Sequence, residues 1–322
     1  MELAFQPVDG AGLFKRLAPL FKGVRGRFSP DFPMRKITWF RTGGPAELLF
    51  QPENEDDLAQ FLRKLPADVP LTIVGIGSNL LVRDGGVKGI VVRLPAKGFG
   101  HIVQRGEADL LAGAGASDKS LAAVALQTGL LGFHFYAGIP GGLGGALKMN
   151  AGANEEDTAA RLVEAYALDR HGESCVLPCS ALGYSYRHCA GAVGLIFTGA
   201  LLRGKPASKK EIETAMAQVL HHRETVQPVR EKTGGSTFRN PQGQAAWKLI
   251  DEAGCRGLTI GGAQMSVMHC NFMINTGNAS AYDLELLGKI VKKRVFDKSG
   301  YQLHWEIQRI GQFAPGQGLD LY

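Results

Sequence analysis

The chain has 322 residues, 45% of them hydrophobic, and a net charge of +6, which allows a substantial core and about two or three domains. The basic residues are scattered and no basic motif is interleaved with aromatic residues, so nucleic acid is not an expected partner. Multiply anionic small molecules fit this charge as well. No apolar run reaches the ~18 residues that cross a membrane, and Lys15, Arg16 and Lys22 interrupt the N-terminal apolar residues, so we expect neither a span nor a signal peptide.

The five cysteines form an odd set without a secretion signal, which favours reduced thiols and a cytoplasmic protein. Cys175 and Cys179 lie near His171 and His188 in sequence, but the second half of a structural zinc site is missing. We therefore expect no metal site. The sequence leaves the oligomeric state open, and a monomer is one of the alternatives.

The first part of the chain, residues 1–36, is expected to be an N-terminal extension. Leu13, Leu17 and Phe21 recur near helical spacing among basic residues, which favours an amphipathic helix packed on the body. A helix lying on a membrane surface is the alternative.

From about residue 37 the pattern predicts alternating strands and helices. Gly204-Lys205-Pro206 marks the clearest domain boundary, and a helix follows the cap Ser208. A final strand over 303–310 would place Glu306 on the face opposite Trp305, because side chains alternate along a strand. Other predicted strands cover 71–74, 90–94, 110–114, 163–168, 195–200 and 272–274, and other helices follow Asn54, Ser117 and Ser280 or surround Trp247.

The first glycine-rich run, Gly75-Ile76-Gly77-Ser78-Asn79-Leu80, follows the predicted strand 71–74. It begins like a dinucleotide fingerprint but has Leu80 in place of the third glycine, so a Rossmann domain is not expected. Its backbone N–H groups can still approach a pyrophosphate closely. An ordinary loop is the alternative.

A second run, Gly138-Ile139-Pro140-Gly141-Gly142-Leu143-Gly144-Gly145-Ala146, leads into Met149-Asn150-Ala151-Gly152. It has few side chains, so a flat ligand could lie against its backbone. The third run, Gly234-Gly235-Ser236-Thr237-Phe238-Arg239-Asn240-Pro241, combines permissive glycines with a proline of fixed φ. Such a turn can hold the Ser236 hydroxyl toward a ligand, although an ordinary surface turn is the alternative.

In this order the three runs resemble the UDP-N-acetylenolpyruvoylglucosamine reductase (MurB) family, over roughly residues 38–311. The resemblance implies an α+β protein with a two-part FAD-binding region of the vanillyl-alcohol-oxidase (PCMH) type and a C-terminal α/β substrate-binding domain. The FAD region would cover residues 37–205, with subdomains at about 37–95 and 96–205. The substrate domain would cover residues 206–322.

The implied activity is NADPH-dependent reduction of the enolpyruvyl group of UDP-N-acetylenolpyruvoylglucosamine to UDP-N-acetylmuramate, in peptidoglycan precursor synthesis. FAD would be bound non-covalently, with NADPH as co-substrate. Arg187, helped by Glu306, would stabilise the developing negative charge, and Ser236 would give a proton. The implied FAD contacts are Thr42, Gly43, Gly75, Gly77, Ser78, Asn79, Leu80, Gly138, Ile139, Pro140, Gly141, Gly145, Asn150 and Ala151. The implied substrate contacts are Asn240, Arg223 and Gln227.

The sequence departs from the family pattern at two positions near these residues. Arg239 stands where Lys is usual, and Cys189 stands where Ser often follows the Tyr-Arg pair. The short stretch after Arg187 lacks an inserted Tyr-bearing loop, which indicates the loop-lacking second branch of the family. An oxidase of the same flavin fold and a non-enzymatic flavin-binding paralogue are the alternatives, and neither has a reason to keep Arg187, Ser236 and Glu306 together.

Overall fold

The computed structural model describes residues 5–318, and four of its helices begin where the sequence places caps. Asn54 Oδ1 accepts a hydrogen bond from Asp57 N, and the hydroxyls of Ser117, Ser208 and Ser280 make the same kind of bond three residues on. The α-helices in these residues are α1 Gly10–Leu17, α2 Glu55–Lys64, α3 Ala96–Phe99, α4 Asp118–Gln127, α5 Leu143–Met149, α6 Lys209–Val226, α7 Ala246–Glu252 and α8 Ala281–Ser299.

The strands build three main sheets and several short pairs. They are β1 Arg27–Pro33, β2 Pro45–Gln51, β3 Leu71–Val74, β4 Leu80–Val82, β5 Val87–Arg93, β6 Ile102–Arg105, β7 Asp109–Gly113, β8 Leu130–Leu131, β9 Gly152–Ala153, β10 Glu156–Asp157, β11 Leu162–Leu168, β12 Ser174–Pro178, β13 Tyr184–Ser185, β14 His188–Cys189, β15 Ile196–Arg203, β16 Lys205–Pro206, β17 Thr233–Ser236, β18 Thr259–Ile260, β19 Ala263–Met265, β20 Phe272–Asn275 and β21 Gln308–Ile310.

The first sheet has the strand order β1-β2-β5-β3, in which β2, β5 and β3 run parallel and β1 is antiparallel to β2. Strand β1 lies inside the stretch 1–36 that the sequence treats as an extension, yet it pairs with β2 along its length. Leu17 and Phe21 are buried against the hydrophobic core of this sheet. The predicted amphipathic helix therefore packs on the body of the protein.

The second sheet is antiparallel, with the order β12-β11-β15-β7-β6. Its core packs against α4, α5 and a 3-10 turn over His134–Gly138, and Phe133, Tyr136 and Leu143 are fully buried there. Helix α6, which follows the predicted boundary at 205–206, also packs on this 3-10 turn. The domain boundaries themselves stay predictions.

The third sheet has the order β17-β20-β19-β18 and packs against α7 and α8. Two acidic residues join it to the first sheet's side of the molecule. Asp84 accepts hydrogen bonds from the first backbone N–H groups of α8, at Ala281 and Tyr282, each 3.0 Å long. Glu285 of α8 is fully buried and is bonded by Arg83 and Arg309 at 2.8–2.9 Å. These contacts fix α8 against the region that carries β4 and β21.

The predicted strand over 303–310 was wrong in extent, because only β21 is a strand. The chain changes partners at this point: Glu306 N donates to Thr237 O, and then Gln308 N donates to Asn79 O. Trp305 forms an isolated bridge with Phe238, while β21 pairs in parallel with β4. No single neighbour runs beside all eight residues, so no continuous ladder forms. None of the described helices is long and apolar enough to cross a bilayer.

Candidate active site

Arg187 and Glu306, 119 residues apart in sequence, form an ion pair. Arg187 lies at the turn of the hairpin β13–β14 and has a φ of +55°, an uncommon conformation for a residue with a side chain. Its Nε donates to Glu306 Oε1 at 3.0 Å, and one Nη donates to Gly152 O at 2.7 Å. Both side chains are largely buried, at 20% and 15% exposure. The guanidinium is therefore fixed in place, and its second Nη makes no hydrogen bond to the described residues and remains available to an anion.

Burial and the cationic neighbours of Glu306 have opposite effects on the pKa of its carboxyl. Burial raises its pKa, and the charge of Arg187, the hydrogen bond from Arg187 and the charge of Arg239 oppose that rise without cancelling it. A negatively charged ligand that engaged Arg187 would raise the pKa further. Glu306 is thus suited to orient Arg187 and to respond to an anion bound beside it.

Ser236 ends β17, where the sequence predicted an irregular turn, and the strand pairs with β20 across a register shift. Two glycines make this path possible: Gly235 has a φ of +79°, and a side chain at Gly234 would clash with the Phe40 ring. No residue within the described range 5–318 hydrogen-bonds the Ser236 hydroxyl. The hydroxyl is therefore available to a ligand.

The residue after Ser236 connects it to Glu306. Thr237 O accepts the Glu306 N–H at 2.9 Å, so the two functional segments run side by side. Asn271 holds this backbone: its O accepts from Thr237 N at 2.7 Å, and its side-chain amide exchanges two hydrogen bonds with Phe238. The structure thus brings Arg187, Glu306 and Ser236 into one region. Asn271 is a positioning residue that the sequence did not reveal.

The glycine loops contain two kinds of glycine. Apart from its chain neighbours and its own helix backbone, a Cβ added at Gly75 or Gly145 would meet no atom of residues 5–318 within 4 Å. By contrast, a Cβ at Gly77 would clash with Ile37 O and one at Gly141 with the Asp118 carboxylate. Gly75 and Gly145 therefore border open space that a flat cofactor such as FAD could fill, whereas Gly77 and Gly141 are required for packing.

The first two glycine-rich runs also adjoin each other and the backbone of Glu306. A Cβ on Gly142 would lie 3.7 Å from Ile76 Cγ2, so the loop over 75–80 faces the run over 138–145, whose last three residues belong to α5 and not to a loop. The Asn79 amide donates to Met149 Sδ at 3.4 Å and to Glu306 O at 3.1 Å. Asn79 therefore links the first loop, the end of α5 and the Glu306 backbone.

Asn150 has a mainly structural environment. It is buried, ends α5 with a φ of +47°, and donates to Asp157 Oδ2 and Ser185 O at 3.0 and 3.2 Å. Its Oδ1 accepts from Ala159 N at 2.9 Å. Both amide donors are thus used within the protein, and one of them supports the hairpin that carries Arg187.

The remaining predicted contacts are spread over the same region. Gly43 has a φ of +119° and packs closely on Val82, while the carbonyl of Thr42 accepts from Thr38 Oγ1 at 2.9 Å. Ser78 is half-buried, and Leu80 begins β4. For these residues, and for Ile139, Pro140 and Ala151, direct contact with FAD stays a prediction.

The three predicted substrate residues have separate surroundings. Arg223, near the end of α6, donates to Gly138 O at 2.7 Å, and burial lowers the pKa of its guanidinium. Gln227 follows the last residue of α6. Asn240 Oδ1 accepts from Ala246 N at 3.0 Å and so holds the start of α7. No side-chain hydrogen bond within residues 5–318 joins the three, and their role in substrate binding stays a prediction.

The part of the chain that the structure describes contains no candidate metal site. There, no group of three or more His, Cys, Asp or Glu side chains is arranged to hold an ion. All five cysteines are free thiols.

Two family models match the chain. The model for the C-terminal domain of UDP-N-acetylenolpyruvoylglucosamine reductase matches residues 227–310, and the model for an FAD binding domain matches residues 46–177. Together they cover the region of Ser236 and Glu306 and the glycine loops.

One solved structure agrees with the family models. The UDP-N-acetylenolpyruvylglucosamine reductase (MurB) from Thermus caldophilus is 34% identical over 88% of this chain and 98% of that chain, with a TM-score of 0.76. The berberine bridge enzyme from Eschscholzia californica is 15% identical over 60% of this chain and 44% of that chain, with a TM-score of 0.47. The second likeness is too weak to support an argument about chemistry.

Proposed function

Because the chain belongs to the UDP-N-acetylenolpyruvoylglucosamine reductase family, we propose that it reduces the enolpyruvyl ether of UDP-N-acetylenolpyruvoylglucosamine to UDP-N-acetylmuramate. It is an FAD-dependent oxidoreductase of peptidoglycan precursor synthesis, with NADPH as the source of hydride. The observation that supports the proposal most is the Arg187–Glu306 ion pair beside the Ser236 segment.

Each of these residues has a role that follows from its contacts. Bound FAD supplies the hydride transfer, and the open backbone at Gly75 and Gly145 would hold it. The free donors of Arg187 would bind the substrate carboxylate, into which negative charge is delocalised during the reaction. Glu306 keeps the guanidinium oriented through its bond to Nε.

Ser236 would complete the reaction by giving its hydroxyl proton to the carbon next to the carboxylate. A serine hydroxyl is a weak acid, but an enolic intermediate is a strong base and accepts a proton from it. The absence of a protein partner for the hydroxyl within residues 5–318 leaves the proton free to transfer. Asn271 keeps the adjoining backbone in place during this step.

The surroundings of the site support the wider assignment. Between Arg187 and Pro206 the chain forms only β14, a 3-10 turn and β15 before β16, which supports the loop-lacking branch of the family. NADPH and the UDP-sugar are both anionic, and the net charge is +6. Free thiols throughout fit a reducing compartment, and we place the enzyme in the cytoplasm.

Anaerobic spectroscopy of the purified yellow protein tests the function directly. NADPH should bleach the flavin absorption, and the enolpyruvyl substrate should then restore it without oxygen. UDP-N-acetylglucosamine, which lacks the enolpyruvyl group, is the matched control and should not restore it. Recovery only on admission of oxygen would identify an oxidase and refute the proposal.

A further inference from the structure

Arg93 ends β5 at the carboxyl edge of the parallel strands of the first sheet. In the β3–β5 register it lies opposite Val74, the residue directly before Gly75. Ligands of open parallel sheets bind at the carboxyl ends of the strands. Arg93 is therefore next to the start of the loop over 75–80, at the edge where a ligand is expected.

The alternation of side chains places Arg93 on the same face as this loop. Val91, two residues earlier on β5, belongs to a buried cluster with Val74, Leu80 and Val82. Because residues two apart share a face of a strand, Arg93 is on the face of that cluster. Leu80 ends the loop, so the loop begins and ends beside the Arg93 side of the sheet.

The Arg93 side chain is half-buried, and its guanidinium has no hydrogen-bond or ion-pair partner in the described part of the chain. Burial lowers the pKa of its guanidinium, and no carboxylate opposes that effect. Arg170 and Arg223 are also desolvated, but both donate hydrogen bonds to backbone carbonyls. No hydrogen bond or ion pair to the Arg93 guanidinium is formed by residues 5–318. The guanidinium is thus only partly hydrated, and because its nitrogens are not buried, an anion from outside the chain can reach them and act as the counterpart.

We propose that Arg93 binds the pyrophosphate of FAD, opposite the backbone N–H groups of the loop over 75–80. The inference rests on the proposed use of FAD. A guanidinium offers two parallel donors to a phosphate, which the loop's backbone alone cannot match. The diphosphate of the UDP-sugar and the 2′-phosphate of NADPH are other anions, and the test below separates them from FAD.

The test compares the full-length holoenzyme with the variant Arg93→Met. Diluting each protein and following the fluorescence of released flavin gives the Kd for FAD. We expect the Kd to rise about tenfold to a hundredfold, the range for losing a charged hydrogen bond. Arg105→Met, which removes an exposed charge from β6, is the matched control and should leave the Kd unchanged.

Thermal unfolding gives a readout that a structural role would not produce. Removing an unpartnered charge should leave the FAD-free protein at least as stable, while the gain in Tm on adding excess FAD becomes smaller. An unchanged Kd for FAD would overturn the inference, as would a lower Tm of the FAD-free protein. A raised KM for NADPH or the UDP-sugar with an unchanged Kd for FAD would assign the residue to that anion instead. If the parent protein binds no FAD, the proposed function itself fails.

Discussion

Gly145→Ala separates the packing of the protein from its contact with the cofactor. Gly145 is the third residue of α5, and an added methyl group would meet nothing within 4 Å in the described chain apart from its neighbours and its own helix backbone. Alanine is more favourable than glycine inside a helix by about 0.5–1 kcal/mol. The FAD-free protein should therefore gain that much stability, which corresponds to a rise in Tm of roughly 1–3 °C for a chain of this size.

The same methyl group should weaken the binding of FAD, because it occupies the space that the flat cofactor would fill. Overfilling a packed contact costs about 1–3 kcal/mol, which is roughly a 5-fold to 150-fold rise in Kd. Thermal unfolding without FAD and fluorescence of flavin released on dilution measure the two effects. The expected result is opposite signs: a more stable apoprotein and a weaker complex.

Gly144→Ala is the matched control on the neighbouring residue of α5. Its Cβ would lie 3.1 Å from the Ala114 Cβ, tighter than an ordinary contact, so this variant should lose stability. If Gly145→Ala binds FAD as the parent does, Gly145 faces solvent and its assignment to the cofactor site is wrong. If the apoprotein of Gly145→Ala loses stability, the space beside it is not open, and the reasoning from the backbone fails.

Four further outcomes follow from the site and from the contacts around α8. Ser236→Ala should leave flavin reduction by NADPH nearly normal and slow reoxidation by substrate about 10²-fold or more in stopped-flow traces; equal slowing of both halves would make the serine structural. In steady-state kinetics, Arg187→Ala should lose about 3 kcal/mol of transition-state stabilisation, mainly in kcat, and Arg187→Lys should keep part of it. A kcat of Arg187→Ala equal to that of the parent enzyme would contradict the assignment. Glu285→Gln should lower the free energy of unfolding in urea by about 3–5 kcal/mol, because it leaves two arginines around a neutral side chain; a loss below about 1 kcal/mol would refute this. Because the pKa of Glu306 is raised in the folded state, its carboxyl stabilises the fold most in acid, where it is protonated, and this contribution disappears as the pH rises through the native pKa. Glu306→Gln should remove this pH dependence from a series of Tm values measured across pH. An unchanged pH dependence would assign the effect to other groups.

The sequence predicted those parts of the fold that depend on neighbouring residues. Asn54, Ser117 and Ser208 cap helices because each side chain reaches an N–H group only three residues away. Strand β3 was predictable from its apolar, β-branched residues. The accessible backbone of the glycine-rich runs was predictable from their composition alone. The segment over 303–310 could not be predicted in the same way, because its partners belong to distant parts of the chain.

The site was predicted through the family resemblance rather than through spacing. Nothing local to Arg187 or Glu306 shows that they meet, since their contact depends on the hairpin β13–β14 and on the change of partner at 303–310. Asn271 and Arg93 gave no signal in the sequence. Asn271 holds the backbone of a turn that is distant in sequence, and Arg93 stands out only because its guanidinium has no partner in the described residues. Both became visible only from hydrogen bonds, register and burial.

The contacts of Asp84 and Glu285 bear on how this protein can be recombined with its relatives. The first backbone N–H groups of α8 donate to the carboxylate of Asp84, which follows β4. The Glu285 carboxylate is paired with Arg83, the residue before Asp84, and with Arg309 of β21. A fragment beginning near residue 206 would lose Asp84 and Arg83 together, and the buried Glu285 carboxylate would keep only Arg309 as a partner. A chimera that exchanges the C-terminal half must therefore carry the Arg83-Asp84 pair with it, so the unit of exchange is larger than either half.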